Sequence, residues 1–279
     1  MEDLNTEGVE HLTRAMGGPP SSVESVGPWT LLGWHRTDST NTRALQALGS
    51  TDRHVLDHMA VFAGLQTDGR GQQQRPWSQQ EGLDLAMTLI LSRRLPSHAP
   101  FALNLAISLA VIEGIEDALP NVGGAALEIK WPNDIMWHGL KAGGILIENS
   151  WRGRDWSSAV IGVGLNVGGT PPYPNATRLL DGAAASDDVM AQLRASILDR
   201  ADARLSEANH PASLLRQYHE RLHGWGRAQR WQLDGAPVRG VLESIDIEGR
   251  LCVSVDGRQQ CFSPGEVGWL GMEPERPSN

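Results

Sequence analysis

Two stretches of the chain combine charged, amide and glycine residues at spacings that could handle an anion. The first is Leu65-Gln66-Thr67-Asp68-Gly69-Arg70-Gly71-Gln72-Gln73-Gln74-Arg75-Pro76-Trp77, which follows the apolar run Met59-Ala60-Val61-Phe62-Ala63. Such a run reads as a buried strand, so a loop with two glycines, two arginines and a tryptophan leaves a sheet edge. Gly69 and Gly71 bracket Arg70, letting backbone approach a ligand while the guanidinium offers a planar fork of donors to carboxylate or phosphate. The second stretch is Lys130-Trp131-Pro132-Asn133-Asp134, followed by Lys141 in Gly139-Leu140-Lys141-Ala142-Gly143-Gly144-Ile145-Leu146-Ile147-Glu148. A cation, an amide and a carboxylate within five residues suit a phosphate and its divalent metal ion, with Asp134 as a hard oxygen ligand. Lys141 at a strand start, with Gly143 and Gly144 after it, would sit on a rigid element beside approachable backbone. Taken singly, each stretch is equally the makeup of a solvated loop or an exposed lysine.

Other patterns carry less. His54 and His58, and separately His219 and His223, have the i, i+4 spacing of paired metal ligands, but neither pair has a catalytic glutamate or a cysteine cluster, so surface histidines are expected. Gly162-Val163-Gly164-Leu165-Asn166-Val167-Gly168 has two glycines of a dinucleotide fingerprint without the third at its spacing. There is no Walker loop and no Gly-x-Ser-x-Gly nucleophile elbow. Ten tryptophans against two tyrosines fit scattered packing better than a base-stacking platform.

The elements that must position these residues follow from periodicity. Residues 1–28 read as a mobile lead-in with one helical turn at 9–16 and a Gly/Pro/Ser linker, leaving no room for a winged DNA-binding domain. Residues 29–35 form a short strand, and Ser39 or Thr40 caps a helix over 40–48 that stops at Gly49. Alternation over 83–91 predicts a strand with one face more buried, and 101–119 predicts a helix apolar nearly all round. Strands follow at 127–131, 135–137 and 140–148, then at 160–167, with helical spacing over 187–209 and 211–222. Gly224-Trp225-Gly226 marks a boundary, after which 237–245, 251–255 and 259–262 suggest a small β-barrel. The fold class is α+β, a mixed sheet packed against helices, divided as 1–28, a 29–226 ligand-binding domain and a 227–275 barrel.

The 279 residues, 40% hydrophobic and 20% charged, describe an ordinary soluble globular chain with room for a large core. A net charge of −9 without a basic block argues against DNA or anionic lipid as a partner. No signal peptide or membrane-spanning run is present, and two cysteines make no disulfide framework, so a cytoplasmic location is expected. If Asp256-Gly257 is a two-residue hairpin turn, Cys252 and Cys261 fall directly opposite in a non-hydrogen-bonded pair. In a reducing compartment two free thiols are the expectation.

Four segments in one order resemble the biotin protein ligases: Ser39-Thr40-Asn41; Gln66 through Trp77; Lys130 to Asp134 with Lys141-Ala142-Gly143-Gly144; and Gly162-Val163-Gly164-Leu165-Asn166. The combination is far more specific than any part. It covers residues 29–169, and the C-terminal segment fits that family's small SH3-like domain by pattern only. The resemblance is to the monofunctional type, without an N-terminal helix-turn-helix. It implies a class II synthetase-like catalytic domain and a two-step reaction. Biotin carboxylate attacks the α-phosphorus of ATP to give biotinyl-5′-AMP and pyrophosphate, and a lysine of a biotin carboxyl carrier protein then attacks the mixed anhydride. The cofactors implied are ATP and Mg2+ with biotin as substrate; a homodimer is compatible with the sequence.

By the same resemblance Ser39, Thr40, Asn41, Gln66, Gly69, Arg70, Gly71, Lys141, Gly143 and Gly144 contact biotin. Arg75, Trp77, Lys130, Asn133, Asp134 and Asn166 fall to ATP and the adenylate, with Asp134 on the metal and Lys141 and Arg70 catalytic. Family members commonly carry Gly-Arg-Gly-Arg-x-Gly-Arg-x-Trp, whereas here Gln72 stands for the second arginine and Gln74 for the later glycine. Neutral Gln72 adds no charge to a phosphoryl cage, which predicts weaker retention of the adenylate. Gln74 takes positive φ less readily than glycine, which predicts a different path for the distal half of the loop. Lipoyl or octanoyl transfer on a related fold would need an apolar tunnel, and Ser39, Thr40 and Gln66 argue against one. A non-catalytic biotin or adenylate sensor is the remaining alternative, disfavoured by the retention of Lys141, Arg70 and Asp134.

Overall fold

The computed structural model describes residues 15–51, 56–92, 100–122 and 127–272. One sheet of eight strands supports the site, in the order β1-β2-β3-β4-β8-β7-β6-β5. Its strands are β1 (Ser22–Val26), β2 (Trp29–Thr37), β3 (Met59–Gln66), β4 (Leu85–Leu91), β5 (Leu127–Lys130), β6 (Asp134–Trp137), β7 (Leu140–Arg152) and β8 (Asp155–Leu165). β2 and β3 run parallel, joined through helix α1 (Thr40–Ser50), and the other neighbours are antiparallel. Ser39 is the α1 N-cap, its hydroxyl accepting from the Thr42 N–H at 3.5 Å.

The period of two sends alternate residues to opposite faces. On one face Leu89, Leu91 and Ile161 enter the main core with α2 (Phe101–Ala118), which packs against α3 (Asp187–Ser206) and α4 (Pro211–Glu220). On the other face Val61, Ile90 and Val160 meet Ala44 and Ala47 of α1. β4 is therefore buried on both faces, not one as its alternation suggested; its polar Thr88 is fully buried on the α1 side. Cross-strand register builds two rows on that side: Thr88, Gly162 and Leu146, then Ala86, Gly164, Gly144 and Asp134. Both rows are paved with small residues.

Several sequence expectations change. Residues 1–14 lie outside the described residues, but 22–26 form edge strand β1 rather than a linker, and Met16 is fully buried against α1 residues. Gly49 does not stop α1, which continues to Ser50 and ends at Thr51 in extended backbone. Sequence reading placed the start of the 160–167 strand late, for β8 begins at Asp155 and forms a long hairpin with β7. The C-terminal segment is a five-stranded antiparallel sheet, β9 (Ala228–Leu233), β10 (Ala236–Ile245), β11 (Leu251–Val255), β12 (Arg258–Phe262) and β13 (Gly268–Met272), in the order β12-β11-β10-β9-β13. β9 and β13 went unread, although Asp234-Gly235, with φ of 48° and 80°, is a two-residue hairpin signal.

Asp256-Gly257 has the same conformation, φ 50° and 74°, and sets Cys252 opposite Cys261. The register is the one the turn predicts, but the sulfurs are bonded rather than free, with the Cα atoms 4.1 Å apart. The expected surface histidines are also otherwise employed. His54 lies outside the described residues; His58 meets Asp57, Asp202 and the edge of Trp29. His219, on α4, accepts from the Ile245 N–H at 2.8 Å, while His223, beyond the helix and buried, pairs with Glu128 at 2.7 Å. No described helix is long and apolar enough to cross a membrane.

Candidate functional site

The small-residue rows, the N-terminus of α1 and the 67–77 loop enclose a cavity of about 590 Å³, a size suited to a small organic ligand. At one end the groups are neutral amides and hydroxyls. Thr40 donates both its N–H and its hydroxyl to Gln66 Oε1, at 2.8 and 3.0 Å. Asn41 sits over Gly162, where a Cβ would lie 2.4 Å from its Oδ1, so glycine there makes room for the amide. Gly164 does the same for Trp77, whose ring a Cβ would meet at 2.5 Å. The Trp77 indole N–H is buried without a partner among the described residues.

The other end is charged. Lys141 Nζ lies 2.5 Å from Asp134 Oδ1 and Lys130 Nζ lies 3.4 Å from Asp134 Oδ2, all three side chains partly exposed. Lys130 also stands 4.6 Å above the Trp269 ring of the C-terminal sheet. Gly144 leaves space beside Lys141, whose Nζ would be 3.5 Å from a Cβ there. The turn carrying this cluster includes a cis Trp131-Pro132 bond and is held from behind. The buried Tyr218 hydroxyl, its pKa pushed up by burial and then by Asp134, donates to the Pro132 carbonyl at 3.1 Å, and the Trp131 indole donates to Gly249 O at 2.9 Å. From Thr88 on β4 to Asp134 on β6 is three strand spacings, about 14 Å at ~4.8 Å each.

The loop closes the cavity as a narrow ribbon: Gly71 N–H donates to Arg75 O and Trp77 N–H to Gly69 O, each at 2.8 Å. Arg70 reaches across to α1, donating to Thr42 Oγ1 at 2.6 Å. Gln73 and Gln74 both hold positive φ, 55° and 60°. Gln74 thus takes the left-handed backbone that glycine favours.

Of the sequence-predicted residues, Ser39, Thr40, Asn41, Gln66, Arg70, Gly71, Lys141 and Gly144 line the cavity, as do Arg75, Trp77, Lys130, Asn133, Asp134 and Asn166. Gly69 and Gly143 do not; they are packing glycines, a Cβ on which would meet Trp77 O at 2.9 Å and Leu165 Cδ2 at 2.4 Å respectively. Asn133 and Asn166 spend their amide nitrogens on backbone: Asn133 donates to Ile145 O, and Asn166 to Thr177 O at 3.1 Å. They brace the wall rather than offer those donors inward. Asp134 has both oxygens facing lysines, and among the described residues no other carboxylate joins it in a metal-ligating group. Its partners here are the two ammoniums.

Sequence reasoning missed Thr88, Glu148 and Asp84 behind the site and His223, Trp231 and Trp269 in its wall. Asp84 and Thr88 had a signal, as polar members of a strand alternation. Asp84 accepts from Gln80 N–H at 2.8 Å, Val167 N–H at 3.0 Å and Gly169 N–H at 3.1 Å, fixing the exit of β8. Burial raises its pKa against those three bonds, which lower it. Trp231 and Trp269 lie on β9 and β13, the strands left unread.

A family model for the biotin/lipoate A/B protein ligase family matches residues 33–166. The biotin--[acetyl-CoA-carboxylase] ligase of Mycobacterium tuberculosis is 32% identical over 247 residues, covering 84% of this chain and 89% of that protein. The enzyme of the same name from Paracoccus denitrificans is 29% identical over 83% of this chain and 97% of its own length. Among solved structures, Aquifex aeolicus biotin protein ligase in complex with biotin and ATP superposes with a TM-score of 0.68 at 23% identity, covering 85% of this chain and 97% of that one. The identity to the mycobacterial ligase across most of both chains, on a fold matched nearly end to end, places this chain in the biotin protein ligase family.

Proposed function

We propose that the chain performs this family's ATP-dependent ligation in the cavity described above. Biotin is activated as biotinyl-5′-AMP, and the acyl group passes to a lysine of a carrier protein of acetyl-CoA carboxylase, the substrate named for the mycobacterial and Paracoccus relatives. One observation carries the reading: a single cavity is neutral and hydrogen-bonding at one end and cationic at the other. A biotin molecule has that polarity, with a cyclic urea at one end and a carboxylate at the other. Thr40 and Gln66 suit the urea, which both donates and accepts.

Adenylation brings a carboxylate onto a triphosphate, two anions that repel, so fixed cations must meet the charge as it gathers at phosphorus. Lys141 and Lys130 are held for that role by Asp134, which gives both ammoniums a partner. Arg70, positioned by Thr42, brings a further guanidinium from the loop side. The unpartnered indole N–H of Trp77 supplies a donor for the adenylate. Asp134 is the carboxylate of this end, paired with both lysines, and would be the residue to hold a magnesium ion brought with the triphosphate, whose charge it would help neutralise; no step here depends on it.

The test is incubation of the purified chain with biotin, ATP, a magnesium salt and an acetyl-CoA carboxylase carrier domain. The expected result is biotin-dependent pyrophosphate release and a biotinylated carrier lysine. Absence of pyrophosphate release would overturn the proposal, and adenylate without carrier labelling would reduce it to a biotin-activating sensor.

A further inference from the structure

Glu148, on β7, is outside every predicted role yet stands behind the neutral end of the cavity. A carboxylate only accepts hydrogen bonds, so Asn41 must turn its amide nitrogen toward it, with Nδ2 to Oε2 at 2.8 Å. That choice points Asn41 Oδ1 at the Thr88 hydroxyl, 2.6 Å away. Thr88 Oγ1 also lies 2.8 Å from Thr40 Oγ1, and the Thr40 proton is shared between Thr88 Oγ1 and Gln66 Oε1. A hydroxyl has one proton. With Asn41 Oδ1 as the nearer acceptor, Thr88 donates there, and Thr40 Oγ1 keeps a lone pair for an N–H in the cavity. Gln66 Oε1, already receiving two donors from Thr40, leaves the Gln66 amide nitrogen as the donor on that side.

Were the Asn41 amide reversed, its oxygen would face the Glu148 carboxylate, its nitrogen would donate to Thr88, and Thr88 would donate to Thr40, taking one of the two lone pairs that Thr40 otherwise keeps for the ligand. The arrangement is built rather than incidental: Asn41 and Thr88 are buried, and glycine at 162 is what lets Asn41 reach between the strands. An acceptor beside a donor complements one edge of a cyclic urea, an N–H beside a carbonyl. We propose that Glu148 is a positioning residue for the biotin ring, acting through Asn41 and Thr88 to set Thr40 as an acceptor. The inference rests on the reading that this end of the cavity takes the ring.

Three variants test it by calorimetric biotin affinity, with KM for ATP and thermal unfolding measured alongside. Glu148→Leu is expected to weaken biotin binding about tenfold or more, the scale of a buried polar group left unpaired, with KM for ATP within about twofold. Asn41→Asp alone sets two carboxylates together and weakens biotin similarly. The double variant Asn41→Asp/Glu148→Gln restores a donor at 148 and an acceptor at 41, and is expected to recover biotin affinity to within about threefold of the unaltered chain. A merely structural role would move both substrates together and would not be repaired by the second substitution. If the unaltered chain binds no biotin, the proposed function falls as well. If it binds biotin and Glu148→Leu binds it equally, or the double variant is no better than Asn41→Asp, the Glu148 assignment alone is overturned.

Discussion

The two ends of the cavity are made from the same sheet by opposite means. At the neutral end, one charged group, Glu148, is passed through an amide and two hydroxyls before it reaches the ligand space, so what the ligand meets is hydrogen-bond direction. At the cationic end, Lys141, Lys130 and Asp134 face one another directly and remain partly exposed. Direction discriminates between shapes of donor and acceptor, because a mismatch leaves buried groups unpaired. Fixed charge instead stabilises an anion wherever it concentrates. In the proposed reading, recognition and reaction thus sit at different ends of the cavity, three strand spacings or about 14 Å apart at ~4.8 Å each.

The largest expected effect comes from the cationic end. Lys141→Gln removes the ammonium closest to Asp134 and should lower the rate of biotin-dependent pyrophosphate release on the order of 10²-fold or more, while biotin affinity changes far less. Equal loss of both would erase the distinction between the ends. Next come the glycines of β8. Gly162→Ala puts a Cβ 2.4 Å from Asn41 Oδ1, and Gly164→Ala puts one 2.5 Å from the Trp77 ring. The first should weaken biotin binding and the second ATP binding, each by roughly tenfold for about 1.4 kcal/mol of forced displacement. Calorimetry with each ligand separately reads the contrast, and interchange of the two effects would contradict the map.

Smaller effects sit in the loop and beyond it. Gln72→Arg adds a cation at the cavity wall, and the dissociation rate of preformed adenylate should fall several-fold; an unchanged rate would remove Gln72 from the account. Gln74→Gly relieves a non-glycine residue at φ 60° and should alter stability by no more than about 1 kcal/mol, since strain relief is offset by backbone entropy. The smallest effect is far from both ends. Burial lowers the His219 pKa, opposed by the contact of its Nε2 with the Ile245 carbonyl at 3.1 Å. The unfolded chain then binds more protons just below the ordinary histidine value of about 6.5, so stability is full above that pH and declines as pH falls through it. His219→Gln should flatten that part of a stability profile measured by chemical denaturation.

The cationic end was legible in the sequence because its residues crowd into short segments: Lys130 to Asp134 is a single turn, and Lys141 follows on the next strand. The neutral end was half legible. Thr40, Asn41 and Gln66 stood in recognisable segments, but their partners Thr88 and Glu148 come from β4 and β7, and only strand register brings them together. Sequence patterning placed Asn133 and Asn166 at the cavity but not their backbone bonds, for a related reason: an amide suits a ligand and a backbone carbonyl equally, and packing decides. The eight-stranded sheet was read in most of its strands. Edge strand β1 was lost inside a Gly/Pro/Ser context, β9 because polar Gln229 is one of its two buried residues, and β13 because Gly268 and Gly271 break its pattern.

The most direct test is a crystal structure with biotinyl-5′-AMP bound. The account predicts the urea within hydrogen-bond reach of Thr40 Oγ1 and Gln66 Nε2, and the phosphate within reach of Lys141, with the adenylate against Trp77. A ligand bound in the reverse direction, with its phosphate at Thr40 and its ring at Lys141, would contradict it.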